Sequence, residues 1–283
     1  MKKFNLKLGI LGLLLILSFS SFSQITLNAP NTNSILYLGE GEKQPLIVGF
    51  GGSEGGNAWA SKGWGKVRDK FVEKGYAFLA VGFFGMEGTP DTLVRIALED
   101  IHNAISEAIK NPKIDKKKIA VIGGSTGGEL VLVLASYYKD IKCVVGLVPS
   151  HCVFPGHTMS FSNSCWTYKG KELPFVPATA EAIPYIMKED LRKAFEVVLK
   201  DTIAEQKALI KVEKINGPIL LVSATKDEVW PSTPMSEKVI ARLKAKKFRY
   251  YYEHIAVEGG HGAPLKKFSD TIIPFIEKHF PAK

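Results

Sequence analysis

The stretch from Lys118 to Leu130 constrains this chain more than any other. Ile119 to Ile122 is a short apolar run closed by the pair Gly123-Gly124, the pattern of a strand buried on both faces. Thr126 to Tyr138 is apolar at helical density and carries no proline, so a helix begins just after Ser125. Between them stands Gly123-x-Ser125-x-Gly127. The pattern predicts a nucleophile elbow: a turn so tight that the residues flanking the serine must lack side chains, with the hydroxyl held at a helix N-terminus. A glycine turn with a solvent-facing serine gives the same letters, so context decides. Here a strand precedes, a helix follows, and an acid and a histidine come later in the order Ser, Asp, His.

A second glycine-rich run, Gly51-Gly52-Ser53-Glu54-Gly55-Gly56, follows the apolar segment Leu46 to Phe50. A phosphate-binding loop needs lysine after its last glycine. Asn57 stands there in this run, and Glu129 after the glycines of the elbow. The dinucleotide pattern beginning at Gly49 also fails, because Glu54 occupies the position of its final glycine. A glycine loop after an early strand is where one amide of an oxyanion hole belongs. Ser53 and Glu54 are the candidates for that amide, and Thr126 supplies the other.

The rest of the chain alternates. Strands are expected at Ile35 to Gly39, Ala77 to Phe83, Ile141 to Val148, Gly217 to Ala224 and Tyr250 to Val257. Helices are expected at Trp59 to Lys74, Thr92 to Lys110 and Met235 to Ala245. This order implies parallel strands joined by right-handed crossovers, hence an α/β-hydrolase fold with a mostly parallel central sheet and helices on both faces. Over residues 150–216 the alternation fails. Prolines and aromatics give way to two or three amphipathic helices within Ala180 to Val212, a lid-like insertion over the end of the sheet that carries the nucleophile. Ordinary helical packing against the sheet explains the same pattern.

Asp227 stands just beyond the strand ending at Ala224, where a carboxylate can orient a histidine and stabilise its protonated form. His261 lies in Gly259-Gly260-His261-Gly262, after the last strand, where the general base of this triad order belongs. His102, His254 and His279 fall inside regular elements and fit that role less well. His151, Trp166 and Trp230 are candidates to line a substrate site.

Lys2, Lys3 and Lys7 precede a leucine-rich run from Leu8 to Leu17, and Ser21-Phe22-Ser23 offers a small-x-small cleavage site before Gln24. Residues 1–23 are therefore expected to be a secretory signal peptide, followed by one domain over 24–283. The run is short for a membrane span, so no stable membrane insertion is expected after cleavage, and the chain is expected in the periplasm or secreted. The formal charge of +9 includes those three lysines. Lys116 to Lys118 and Lys244 to Lys247 read as solvated charges, since no recognition motif accompanies them and nucleic-acid binding is not expected. Three cysteines are an odd count for export. Cys143 lies in an apolar strand, whereas Cys152 and Cys165 flank a loop and are placed to pair if the compartment is oxidising. His151, Cys152, His157 and Cys165 fit no zinc spacing, and no metal or cofactor is expected.

The segments Gly123 to Leu130, Trp166 to Pro174, Val212 to Leu220, Asp227 to Ser232 and Gly260-His261 together resemble the acyl-CoA thioesterase and bile acid-CoA:amino acid N-acyltransferase family, through its C-terminal α/β-hydrolase domain. The resemblance implies a triad of Ser125, Asp227 and His261, and a small-molecule acyl thioester or ester as substrate. The amino-acid-conjugating members carry cysteine where Ser125 stands, so the resemblance favours hydrolysis by water over transfer to an amine. Export sets this against an intracellular acyl-CoA substrate and raises a carboxylesterase with a non-CoA substrate. A silent binding protein on the same fold is the alternative from another class.

Overall fold

A computed structural model of the chain describes residues 22–282. The expected signal peptide lies outside the described residues, apart from its last two. The strands are β1 (Ser23–Leu27), β2 (Asn33–Leu38), β3 (Gln44–Phe50), β4 (Ala77–Gly82), β5 (Ile96–Ala97), β6 (Ile114–Gly124), β7 (Ile141–Leu147), β8 (Trp166–Tyr168), β9 (Lys171–Glu172), β10 (Ile219–Ala224) and β11 (Tyr252–Val257). The helices are α1 (Lys62–Glu73), α2 (Leu98–Ala108), α3 (Thr126–Tyr137), α4 (Ile183–Ile186), α5 (Leu191–Val198), α6 (Thr202–Ala208), α7 (Ser232–Ala245) and α8 (Ile273–His279).

Among the described residues, eight strands form one sheet in the order β1-β2-β4-β3-β6-β7-β10-β11. From β4 to β11 every neighbouring pair is parallel, and only the pairs β1–β2 and β2–β4 at one edge are antiparallel. The central strands are apolar at nearly every position because both faces are covered. Alternate residues of β6 serve the two faces: Ile119 and Val121 join Leu98, Ile105, Leu130 and Val239 of α2, α3 and α7. Ala120 and Ile122 join Phe71 and Val72 of α1 and Ile273 and Ile276 of α8.

Two local expectations are revised. The helix expected from Thr92 begins only at Leu98, because Arg95 takes a left-handed φ of 52° and Ile96 pairs with Trp166, forming a small second sheet from β5, β8 and β9. The edge strand β1 has no counterpart in the expected elements. The insertion does contain three helices, and Asp190 and Asp201 cap α5 and α6 by accepting backbone N–H groups. Its apolar residues Phe154, Val176, Ala194 and Val198 pack on Trp230 and Met235. All three cysteines are buried free thiols, with Cys165 Sγ donating to the carbonyl of Pro155.

The parallel register brings the strand ends to one rim. Phe50 lies opposite Gly123, Gly124 opposite Leu147, and Ala224 opposite Val257. Ser125, Asp227 and His261 follow directly from those ends.

Candidate active site

Ser125 has φ 57° and ψ −123°, a region that residues with side chains rarely occupy and that costs on the order of 1–3 kcal/mol. The turn is held by its N–H donating to the carbonyl of Leu147 at 2.9 Å and by Glu129 N–H donating to the Ser125 carbonyl at 3.0 Å. The glycines are required by contact. A Cβ on Gly123 would stand 2.0 Å from the carbonyl oxygen of Gly127, and one on Gly127 would stand 2.1 Å from that of Gly51. The elbow is thus wedged between its own helix and the glycine loop after β3.

Asp227 is buried in the turn after β10. Its Oδ1 accepts the N–H groups of Val229 at 3.0 Å and Trp230 at 3.2 Å, and His261 Nδ1 at 2.8 Å. Burial pushes its carboxyl up, but the hydrogen bond from His261 and the other donors outweigh that and hold it below the usual carboxylate range. An ionised carboxylate only accepts, so His261 carries its proton on Nδ1 and leaves Nε2 as an acceptor. Glu228 fixes the same loop from the other side, its Oε2 accepting the His261 N–H at 2.8 Å. A Cβ on Gly260 would collide with that oxygen at 2.5 Å.

Ser125 and His261 line one cavity of about 160 Å³, together with Gly52, Glu54, Trp59 and Trp64. No hydrogen bond joins the Ser125 hydroxyl to His261 among the described residues. Such bonds commonly close only in the substrate complex. The Thr126 N–H opens α3 and has no acceptor among the described residues, so it is free for an oxyanion. Of the glycine loop, Gly52 is the residue that abuts Ser125: a Cβ there would lie 3.1 Å from Ser125 Cβ. Ser53 is exposed and does not line the cavity. Glu54 does, and its carboxylate accepts the Gly52 N–H at 3.0 Å.

The three residues expected to touch substrate do not line this cavity. His151 is buried, with Nε2 against the Glu205 carboxylate of α6, which also takes Lys238 of α7. Trp166 is fully buried and donates to Glu129 at 2.7 Å. Trp230 donates to the Val148 carbonyl at 2.9 Å and sets its ring edge against His261. A separate open hollow of about 510 Å³ lies between Leu173 to Phe175 and α6 and shares no residue with the Ser125 cavity. Among the described residues, no group of three or more His, Cys, Asp or Glu side chains is arranged to hold a metal ion.

Trp59, Trp64 and Gly52 were not singled out from the sequence. The available signal was their position: two tryptophans follow directly on a glycine loop that must approach the elbow. Glu129 was also passed over as chemistry. It lies one helical turn beyond Ser125, and burial pushes its carboxyl up to about 8, so it is protonated at neutral pH.

The same course of chain is found in a puromycin-hydrolysing peptidase of Mycobacterium tuberculosis, with a TM-score of 0.64 and 16% identity over 93% of this chain and 40% of that one. It is also found in a Pyrococcus furiosus esterase, with a TM-score of 0.61 and 14% identity over 92% of this chain and 94% of that one. A parallel sheet covered on both faces, with a strained serine between strand and helix at the strand ends, defines an α/β-hydrolase fold. Residues 96–264 match the family described as BAAT / acyl-CoA thioester hydrolase C terminal, and the chain belongs to that family. Among curated relatives, acyl-coenzyme A thioesterase 1 of Rattus norvegicus is 27% identical over 172 residues, 61% of this chain and 39% of that protein. The mouse peroxisomal succinyl-coenzyme A thioesterase is 26% identical over 174 residues, 60% of this chain and 39% of that protein. The match thus spans about two-fifths of the length of these relatives.

Proposed function

We propose that the protein is a serine hydrolase that cleaves acyl thioesters or carboxylic esters through Ser125, His261 and Asp227. The observation that carries this reading is the 2.8 Å bond from His261 Nδ1 to Asp227, which turns the imidazole so that Nε2 is left for the cavity it shares with Ser125. His261 Nε2 takes the Ser125 proton as Oγ attacks the acyl carbon, and the Asp227 carboxylate stabilises the imidazolium. The oxyanion is received by the Thr126 N–H and a second amide of the Gly52 to Glu54 turn. His261 then gives its proton to the departing thiol or alcohol. Water, deprotonated by the same nitrogen, releases the acid and restores Ser125.

Family membership and the thioesterase relatives support the thioester, and the leader-like start of the chain supports an exported ester hydrolase. A matched panel of acyl-CoA thioesters and simple esters of equal chain length decides between them, with Ser125→Ala as the control. Turnover of either class by the wild type and loss of at least a thousandfold in Ser125→Ala is the expected result. Equal rates in both proteins would remove Ser125 from the mechanism. For export, the proposed processing gives a mature chain whose first residue is Gln24, which N-terminal sequencing of the secreted protein reads directly.

A further inference from the structure

The cavity beside Ser125 is small. Sites for drug-sized ligands occupy roughly 300–1,000 Å³, whereas this one measures about 160 Å³. An apolar protein cavity of about 150 Å³ holds benzene. A leaving group as large as coenzyme A cannot enter such a space and must extend outward, so the group entering is the acyl part.

Its walls are apolar and braced. Phe50, Trp59, Trp64, Leu147, Pro264 and Leu265 line it. Trp59 is 2% exposed, donates to the Phe50 carbonyl at 3.2 Å, and has its ring 4.9 Å from Phe78 and 5.6 Å from Phe268. Trp64, in the first turn of α1, stands 4.6 Å from Trp59 and 5.5 Å from Phe268. Moving either indole aside breaks several ring contacts at once. The wall therefore does not recede to admit a longer chain. Charge sets a second limit. No lysine or arginine lines the cavity, and Glu54, with its carboxylate on the Gly52 N–H, does. An acyl group ending in a carboxylate would meet a like charge with no cation to offset it.

We propose, resting on the hydrolase reading above, that the site accepts uncharged acyl groups with no more than about six carbons beyond the carbonyl, with Trp59 and Trp64 setting the limit.

The test is kcat/KM for thioesters from acetyl to palmitoyl, with benzoyl and succinyl, below micelle-forming concentrations, in the wild type and in Trp64→Ala and Trp64→Leu. The expected profile peaks between butyryl and hexanoyl, includes benzoyl, and falls at least tenfold at dodecanoyl and at succinyl. Either Trp64 variant raises the dodecanoyl-to-butyryl ratio at least tenfold. A wild type that turns over dodecanoyl or succinyl as well as butyryl overturns the size or the charge limit respectively. An unchanged ratio in a folded Trp64 variant removes that residue from the limit. If Trp64→Ala does not fold, Trp64→Leu and the wild-type profile still decide. No turnover of any acyl group by folded wild type is a different outcome: it overturns the hydrolase reading, and this proposal falls with it.

Discussion

The indole N–H of Trp166 donates to the carboxyl of Glu129 at 2.7 Å, tying the insertion to the helix that carries Ser125. Both groups are buried, and burial lifts the Glu129 carboxyl from 4.5 to about 8. Between those pH values the folded chain keeps a proton that the unfolded chain has lost. Stability therefore falls as pH rises through that window, by on the order of 4–5 kcal/mol in total, and levels off above it. Glu129→Gln keeps an acceptor for Trp166 and removes the titration. Urea midpoints measured from pH 5 to 9 are expected to show the variant gaining on the wild type as pH rises; parallel curves would mean that Glu129 is already ionised in the folded protein.

Asp227→Asn preserves the shape of the turn but removes the charge that stabilises a protonated His261. The expected loss in kcat is on the order of 10⁴, with an unchanged circular dichroism spectrum. Donors hold Asp227 below the usual carboxylate range despite its burial, so its contribution to stability is present at neutral pH and lost as pH falls. The variant should lack that part of the acid-side decline. Near-normal turnover in Asp227→Asn would take the carboxylate out of the mechanism.

Two alanine substitutions should behave oppositely. Gly127→Ala drives a methyl group into the Gly51 carbonyl at 2.1 Å, backbone that cannot yield without opening the elbow. Destabilisation of more than about 3 kcal/mol, or failure to fold, is expected. Gly262, at φ −80° and with nothing within 4 Å of a Cβ, should accept alanine within about 0.5 kcal/mol. Thermal melts of the two variants check the contrast.

Glu205 joins the insertion to α7 through Lys238 and, within the insertion, pairs with His151. Burial, helped by the nearby Lys238 ammonium, lowers the His151 pKa despite its carboxylate partner and keeps that ring neutral. Removing the carboxylate leaves a buried neutral imidazole without its partner, so Glu205→Ala should cost about 1–3 kcal/mol. Hydrogen exchange is expected to quicken first in α6 and leave β6 and α3 protected; a uniform increase across the domain would show that this cluster does not fasten the insertion in particular.

The tight turn at Ser125, its helix and its strand were legible because their constraints are local. Apolar runs on either side of closely spaced glycines leave one backbone geometry, and the observed contacts of Gly123 and Gly127 show why. Asp227 and His261 were legible through their place after strand ends. What the sequence did not reveal depended on partners distant in the chain. Thr92 to Ile96 has helical periodicity, yet Ile96 pairs with Trp166, seventy residues on, and the helix starts later. Trp166, Trp230 and His151 were candidates to line the site because of their places in the insertion and beyond strand ends. Each tryptophan gives its ring N–H to a buried acceptor, Glu129 or the Val148 carbonyl, and His151 gives Nε2 to Glu205, and none lines the cavity beside Ser125. The aromatic wall of the cavity was hidden for the converse reason, since Trp59 and Trp64 read as the apolar side of a helix.

The claim on which all of this rests is that Ser125 becomes covalently acylated, and trapping it is the most direct measurement. Wild-type protein treated with a fluorophosphonate and digested for mass spectrometry should carry the phosphonyl group on the peptide containing Ser125, with labelling abolished in Ser125→Ala and slowed at least a hundredfold in His261→Ala. A folded wild type that turns over substrate while Ser125 stays unmodified, or labelling that persists undiminished in Ser125→Ala, would contradict the account.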